Sequence, residues 1–101
     1  MKVVFHQHAR LELSESIAFY DSINPDLGDA YFSALVRKLE IIGRHPDAGR
    51  TGAGGFRVIG ITRFPFSIRY RVDEDLIYVI AVSHQRRQPD YWRHRLRDVS
   101  D

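Results

Sequence analysis

The sequence predicts an α+β fold of order β-α-α-β-β-β: a helical hairpin packed on one face of a mainly antiparallel four-stranded sheet, with a short C-terminal helix. Three observations predict it. Apolar residues recur at helical spacing from about position 9 to 42, and at strand spacing from 56 to 83. A loop dense in Gly and Pro separates the two regions. At 101 residues the chain is expected to form one domain, 1–101, around one core.

The elements follow in order. "KVVF" (2–5) is β-branched and aromatic, a first strand. From about Ala9 the period changes, with Leu13, Ile17 and Tyr20 at i, i+4, i+7 and Glu12, Glu15 and Asp21 on other faces of an amphipathic helix. "NPD" (24–26) stops it, and Asp26 is expected to cap a second helix. Leu27, Tyr31, Ala34, Leu35 and Ile42 form the apolar side of that helix, and Gly43 and Pro46 end it. "HPDAGRTGAGG" (45–55) is a loop. "FRVIGI" (56–61) is a strand, and "FSIRYRV" (66–72) alternates Phe66, Ile68, Tyr70 and Val72 against Ser67, Arg69 and Arg71. "DED" (73–75) turns the chain into "LIYVIAVS" (76–83), apolar on both faces and so expected to lie centrally. After Pro89, the spacing of Trp92, Leu96 and Val99 predicts a short helix with Arg93, Arg95 and Arg97 around it.

Composition narrows the function classes. With 44% hydrophobic and 28% charged residues the chain reads as globular. It has no cysteine, which excludes disulfides and thiolate metal sites and fits a reducing cytoplasm. The apolar run in "MKVVFHQHAR" is too short for a signal-peptide core, and no stretch suits a membrane span. A cytoplasmic protein without membrane contact is expected. The net charge of +2 is unevenly spread. Residues 1–50 carry six Lys/Arg against seven Asp/Glu, whereas residues 51–101 carry nine Arg, no Lys and six acids. Arginine alone suits recognition, because its fork grips carboxylates and phosphates and its plane lies on rings.

Most catalytic patterns are missing. His6 and His8 would share a strand face as two metal ligands can, but no HxxxH, HExxH or cysteine pair completes a site, so no metal and no cofactor is expected. "TGAGG" lacks the GK[ST] ending and the following helix of a phosphate loop. Ser67 and Ser83 lie on strands without a nucleophile elbow. The basic sheet face is the stronger candidate. Arg69 and Arg71 project from one strand, His84 leaves the next, and Arg86 and Arg87 follow. His84 as a general acid–base, with Arg69 and Arg71 holding a phosphate, is one catalytic assignment. The plainer alternative makes the arginines solvent-facing and His84 a strand-end residue. Tyr91 and Trp92 are expected to anchor the tail by burying apolar area.

With "HPDAG" (45–49) and "FPFSIRYRVDEDLIYVIAVSHQRRQPDYW" (64–92), the chain resembles the RelE/ParE superfamily of small toxins from type II toxin–antitoxin modules, also called plasmid stabilisation proteins. The resemblance covers nearly the whole chain. Its most specific parts are an "FP(Y/F)xIxYR" strand, a "(V/I)xxVxH" strand and an "HxRRxPxxW" ending, the last closer to the ParE-like branch. That branch implies a bacterial toxin that inhibits DNA gyrase by binding, in a hetero-oligomer with a cognate antitoxin. The RelE-like alternative is a metal-independent, ribosome-dependent mRNA endonuclease, in which Arg63, Arg69, Arg71, His84 and Arg86 would stand in for parts of the cutting site. A third reading is a weakened toxin acting mainly as an antitoxin-bound autorepressor. Under the binding reading, Arg63, Arg69, Arg71, His84, Arg86, Arg87 and Trp92 are the expected contacts to target or antitoxin.

Overall fold

The computed structural model describes residues 1–87 and 90–98. Strand β1 (Lys2–Phe5) leads into helices α1 (Gln7–Ile23) and α2 (Pro25–Arg44). Strands β2 (Arg50–Thr51), β3 (Arg57–Gly60), β4 (Phe66–Asp73) and β5 (Leu76–His84) follow, and a 3₁₀ turn spans Arg93–Asp98. The sheet order is β1-β5-β4-β3-β2. Only β1 is parallel to its neighbour, because the hairpin carries the chain back over the sheet between β1 and the rest.

The α+β class is as the sequence predicts, and the last strand is covered on both faces as expected, although it lies between β1 and β4 and the middle strand is β4. The sheet, however, has five strands rather than four. The extra one, β2, pairs only Arg50 with Val58 and Thr51 with Arg57. Two residues inside a glycine-rich loop carry no alternation from which a strand is read. The C-terminal segment forms a 3₁₀ turn where an i, i+4, i+7 helix is expected. Val99 and the side chain of Arg97 lie outside the described residues.

Helix starts also differ. Helix α1 starts at Gln7, two residues before the expected period begins, behind the cap His6, whose Nδ1 accepts the His8 N–H at 3.0 Å. His6 is thus a buried cap and His8 a first-turn residue, so the two do not share a strand face. Asn24, not Asp26, caps α2: its side chain accepts the Asp26 N–H at 2.8 Å, with Pro25 in the first turn. Asp26 favours the same end through the helix dipole.

The hairpin lies on one sheet face. Tyr20 from α1 and Tyr31, Leu35 and Ile42 from α2 close over Ile68, Tyr70, Ile77, Val79 and Val82. The Tyr31 hydroxyl donates to Ser16 Oγ at 2.8 Å, joining the two helices inside this core. On the opposite face a smaller core forms from Phe56, Ile80, Ala81 and Trp92. That face is therefore not left open to solvent as a plain arginine surface; the tail folds back over it.

A bulge in β5 makes the second core possible. Arg69 pairs with Ala81 but Tyr70 with Val79, leaving Ile80 as an extra residue. Ile80 and Ala81 both join the second core, and Val82 returns to the helix side. The loop at 45–49 is pinned from the main core. The buried Tyr70 hydroxyl accepts the Gly49 N–H at 2.9 Å and donates to the Pro46 carbonyl at 2.8 Å. A Cβ on Gly49 would fall 2.8 Å from that hydroxyl and 3.1 Å from the Val58 carbonyl, so glycine is required by the close approach.

Candidate functional site

The arginines of the second face do not simply point into water. The guanidinium of Arg69 lies over the Trp92 ring at 4.9 Å and that of Arg71 over Phe56 at 5.5 Å, while the two rings meet edge to face at 5.0 Å. Arg87 covers Tyr91 at 4.0 Å. Guanidinium planes cap aromatic rings in this way because the ring faces carry negative potential. The face is a small apolar core roofed by cations.

Arg71 and Arg69 differ in how their charge is met. Arg71 donates to Asp73 Oδ2 through Nε at 3.1 Å and Nη2 at 2.8 Å. Arg69 has no ion-pair partner among the described residues, and its Nε is buried without a hydrogen bond. Burial, then repulsion from Arg50, pulls the Arg69 guanidinium below its ordinary pKa, against weaker attraction from Tyr91 and Asp90. A cavity of about 400 Å³ opens beside it, walled by Arg50, Ser67, Ser83, Arg87, Tyr91 and Trp92. Among the described residues no acidic one lines it.

Arg50 carries no signal in the sequence, because it belongs to the two-residue strand β2. The "TGAGG" loop also contributes, though as packing rather than as a phosphate cradle. A Cβ on Gly52 would sit 3.1 Å from Arg69 Nη1, so the loop backbone comes close against the guanidinium. Gly54 (φ 71) and Gly55 (φ 78) supply the left-handed turn that sends the chain on into Phe56.

His84, at the end of β5, lies on the other face of the sheet from Arg69 of β4. Its ring meets Phe66 edge to face at 5.2 Å, and Phe66 packs against the helix-side core. Strict alternation from Ile77 would put His84 beside the arginines; the Ile80 bulge turns it away. His84 reaches the cavity only as part of its rim, with Arg87. Its Nδ1 accepts the Arg86 backbone N–H at 3.0 Å, which leaves Nε2 to carry the proton of the neutral ring. The structure thus brings Arg69, Arg87, His84 and Trp92 around one cavity. Arg71 and Arg86 do not line it. Arg63 is elsewhere, in the turn between β3 and β4 at φ 74, beside a separate groove with Asp26, Asp29 and Arg37.

Behind the cavity a buried network holds the tail. Glu12 accepts from Arg95 Nη1 at 2.8 Å and Nη2 at 3.0 Å, from the Tyr91 hydroxyl at 2.7 Å and from the Val82 N–H at 3.0 Å. Arg95 Nη1 also donates to the Ile80 carbonyl at 2.9 Å. Burial alone would raise the Glu12 pKa, but these donors outweigh it and hold the carboxyl below its ordinary value. Burial first, and then the Glu12 carboxylate, push Tyr91 up to about 12. Among the described residues no group of three or more His, Cys, Asp or Glu is placed to hold a metal ion. No helix among them is long and apolar enough to cross a membrane.

Comparison with known proteins agrees with this architecture. The family model described as ParE toxin of type II toxin-antitoxin system, parDE, matches residues 3–89. No curated protein sequence matches the chain. A solved structure described as the chromosomal ParDE TA system from P. aeruginosa shares the fold at a TM-score of 0.71 and 19% identity, over 83% of this chain and 95% of that one.

Proposed function

The chain belongs to the ParE toxin family of type II toxin–antitoxin systems, and we propose that it acts by docking on DNA gyrase in the cytoplasm, without bond-breaking chemistry of its own, until a cognate antitoxin covers it. One observation carries the choice of binding over nuclease chemistry. The histidine that would serve as acid–base packs its ring on Phe66, has its Nδ1 taken by the Arg86 N–H, and reaches the Arg69 cavity only at the rim. Cutting a phosphodiester needs the proton-transfer group and the phosphate-holding cations around one atom. Arg71, the second cation of such a site, is already bound to Asp73.

What remains is well suited to recognition: arginines held over rings, with Arg69, Arg71 and Arg87 still partly open to solvent. An acidic, initially disordered antitoxin segment suits such a face, since charge steers the encounter and apolar anchors hold it. The antitoxin proposal is supported by the ParDE assembly named for the structural relative. The test compares the purified protein in a gyrase supercoiling assay and in cell-free translation. Loss of supercoiling with intact translation is expected. Discrete mRNA cuts with unimpaired supercoiling would overturn the reading.

A further inference from the structure

We propose that the cavity between Arg50 and Arg69 seats one carboxylate side chain of the antitoxin, gripped end-on by the outer nitrogens of Arg69. The proposal rests on the antitoxin reading above and goes further, to one residue, one edge of its guanidinium and one ligand group.

The argument begins from the difference between two neighbouring strand arginines. Arg71 and Arg69 share a face of β4, and both cap aromatic rings. Arg71 has its counter-ion in the same strand, Asp73 at 2.8 Å. Arg69 has none among the described residues, is half-buried, and has Arg50 close enough to weaken its hold on its proton. A desolvated cation with a like-charged neighbour is costly until an anion arrives.

Geometry selects the anion. The Nε of Arg69 is shut away from solvent, so the side-on edge of the fork is closed. Below the guanidinium lies Trp92, and Gly52 stands against Nη1. A ligand meets the fork through the Nη1/Nη2 end, where two parallel N–H bonds match the two oxygens of a carboxylate. Ser67, two residues back on the same face of β4, lines the cavity and offers a hydroxyl donor. Ser83 pairs with Ser67 across the ladder but is drawn to the Tyr91 hydroxyl. Arg50 and Arg87 close the rim and add positive potential, and among the described residues no acid stands in the wall to compete.

The test uses the full chain and its cognate antitoxin. Affinities are measured for wild type, Arg69→Gln, Arg69→Lys and Arg71→Gln, with each Asp and Glu of the antitoxin changed in turn to Asn or Gln. Losing a hydrogen bond to a charged group at Arg69→Gln is expected to weaken binding about 10- to 100-fold. Arg69→Lys, which keeps the charge without the fork, should lose nearly as much, and Arg71→Gln less than about threefold because its partner is internal. One antitoxin acid should show no further loss on top of Arg69→Gln. If Arg69→Gln binds like wild type, or no acid couples to it, the carboxylate seat is wrong while the antitoxin reading stands. If wild type binds no antitoxin, the antitoxin reading itself fails, and the seat with it. Inorganic phosphate serves as the competing probe. Displacement of the antitoxin by millimolar phosphate but not by acetate at equal ionic strength would overturn the choice of carboxylate.

Discussion

Arg95 and Glu12 meet fork to fork, Nη1 on Oε1 at 2.8 Å and Nη2 on Oε2 at 3.0 Å, with side chains only 6% and 13% exposed. The pair finishes the edge of the sheet. Strand β1 accompanies β5 only as far as Phe5 opposite Val79. Beyond that point Glu12 takes the Val82 N–H and Arg95 supplies a donor to the Ile80 carbonyl, so two side chains replace a missing strand.

Glu12→Gln should therefore destabilise the protein by about 3–5 kcal/mol, because it leaves a buried guanidinium without its counter-charge. The sign of the pH dependence follows from the lowered Glu12 pKa. Its contribution is complete above the ordinary value of 4.5 and is lost as pH falls through the depressed folded value. Urea midpoints measured from pH 7 downward should show an acid limb that is shallower in Glu12→Gln. At the alkaline end, Tyr91, pushed up to about 12 from 10.0, stabilises the fold below pH 10 and ceases to do so as pH rises towards 12.

Tyr70→Phe should cost about 1–3 kcal/mol with little change in secondary structure, since it leaves the Gly49 N–H and the Pro46 carbonyl without their shared partner. Hydrogen exchange is expected to quicken at Gly49 while the centre of β5 stays protected. Equal loss of protection throughout would show that the hydroxyl is not a local pin.

Arg63→Gly separates stability from recognition. Arg63 holds φ 74, a conformation that strains a side chain and suits glycine. The substitution should raise stability by about 0.5–1 kcal/mol, the relief being partly offset by a freer unfolded chain. If Arg63 contacts the target or the antitoxin as the family resemblance implies, the more stable variant binds that partner more weakly.

His84→Ala tests the proposed mode of action directly. Toxicity should fall less than about threefold under docking, whereas removal of a general acid–base lowers a rate by about two to four orders of magnitude. Growth arrest on induction, normalised to protein level, is the readout.

Sequence and structure agree where the physics is local. The β4 alternation shows directly which side chains face the hairpin, and the two helices are legible from their apolar stripes. Glu12 is not legible in the same way. On its helix it is one of several polar residues, and the guanidinium that buries it lies 83 positions further on. Arg50 is hidden for another reason, since a strand of two residues has no period. Arg69 and Arg71 look equivalent in sequence, and only the placement of Asp73, Arg50 and Trp92 makes one self-satisfied and the other open to a partner.

The extra residue at Ile80 bears on how this strand is compared with its relatives. Before it, Ile77 and Val79 face the helices; after it, Val82 and His84 do. Five positions, not four or six, separate Val79 from His84. An ungapped alignment with a regular strand exchanges the two faces from Ala81 onward and lends His84 a role among the arginines. Transfer of site residues across β5 therefore needs a one-residue gap, a matter of counting that side-chain identity alone does not reveal.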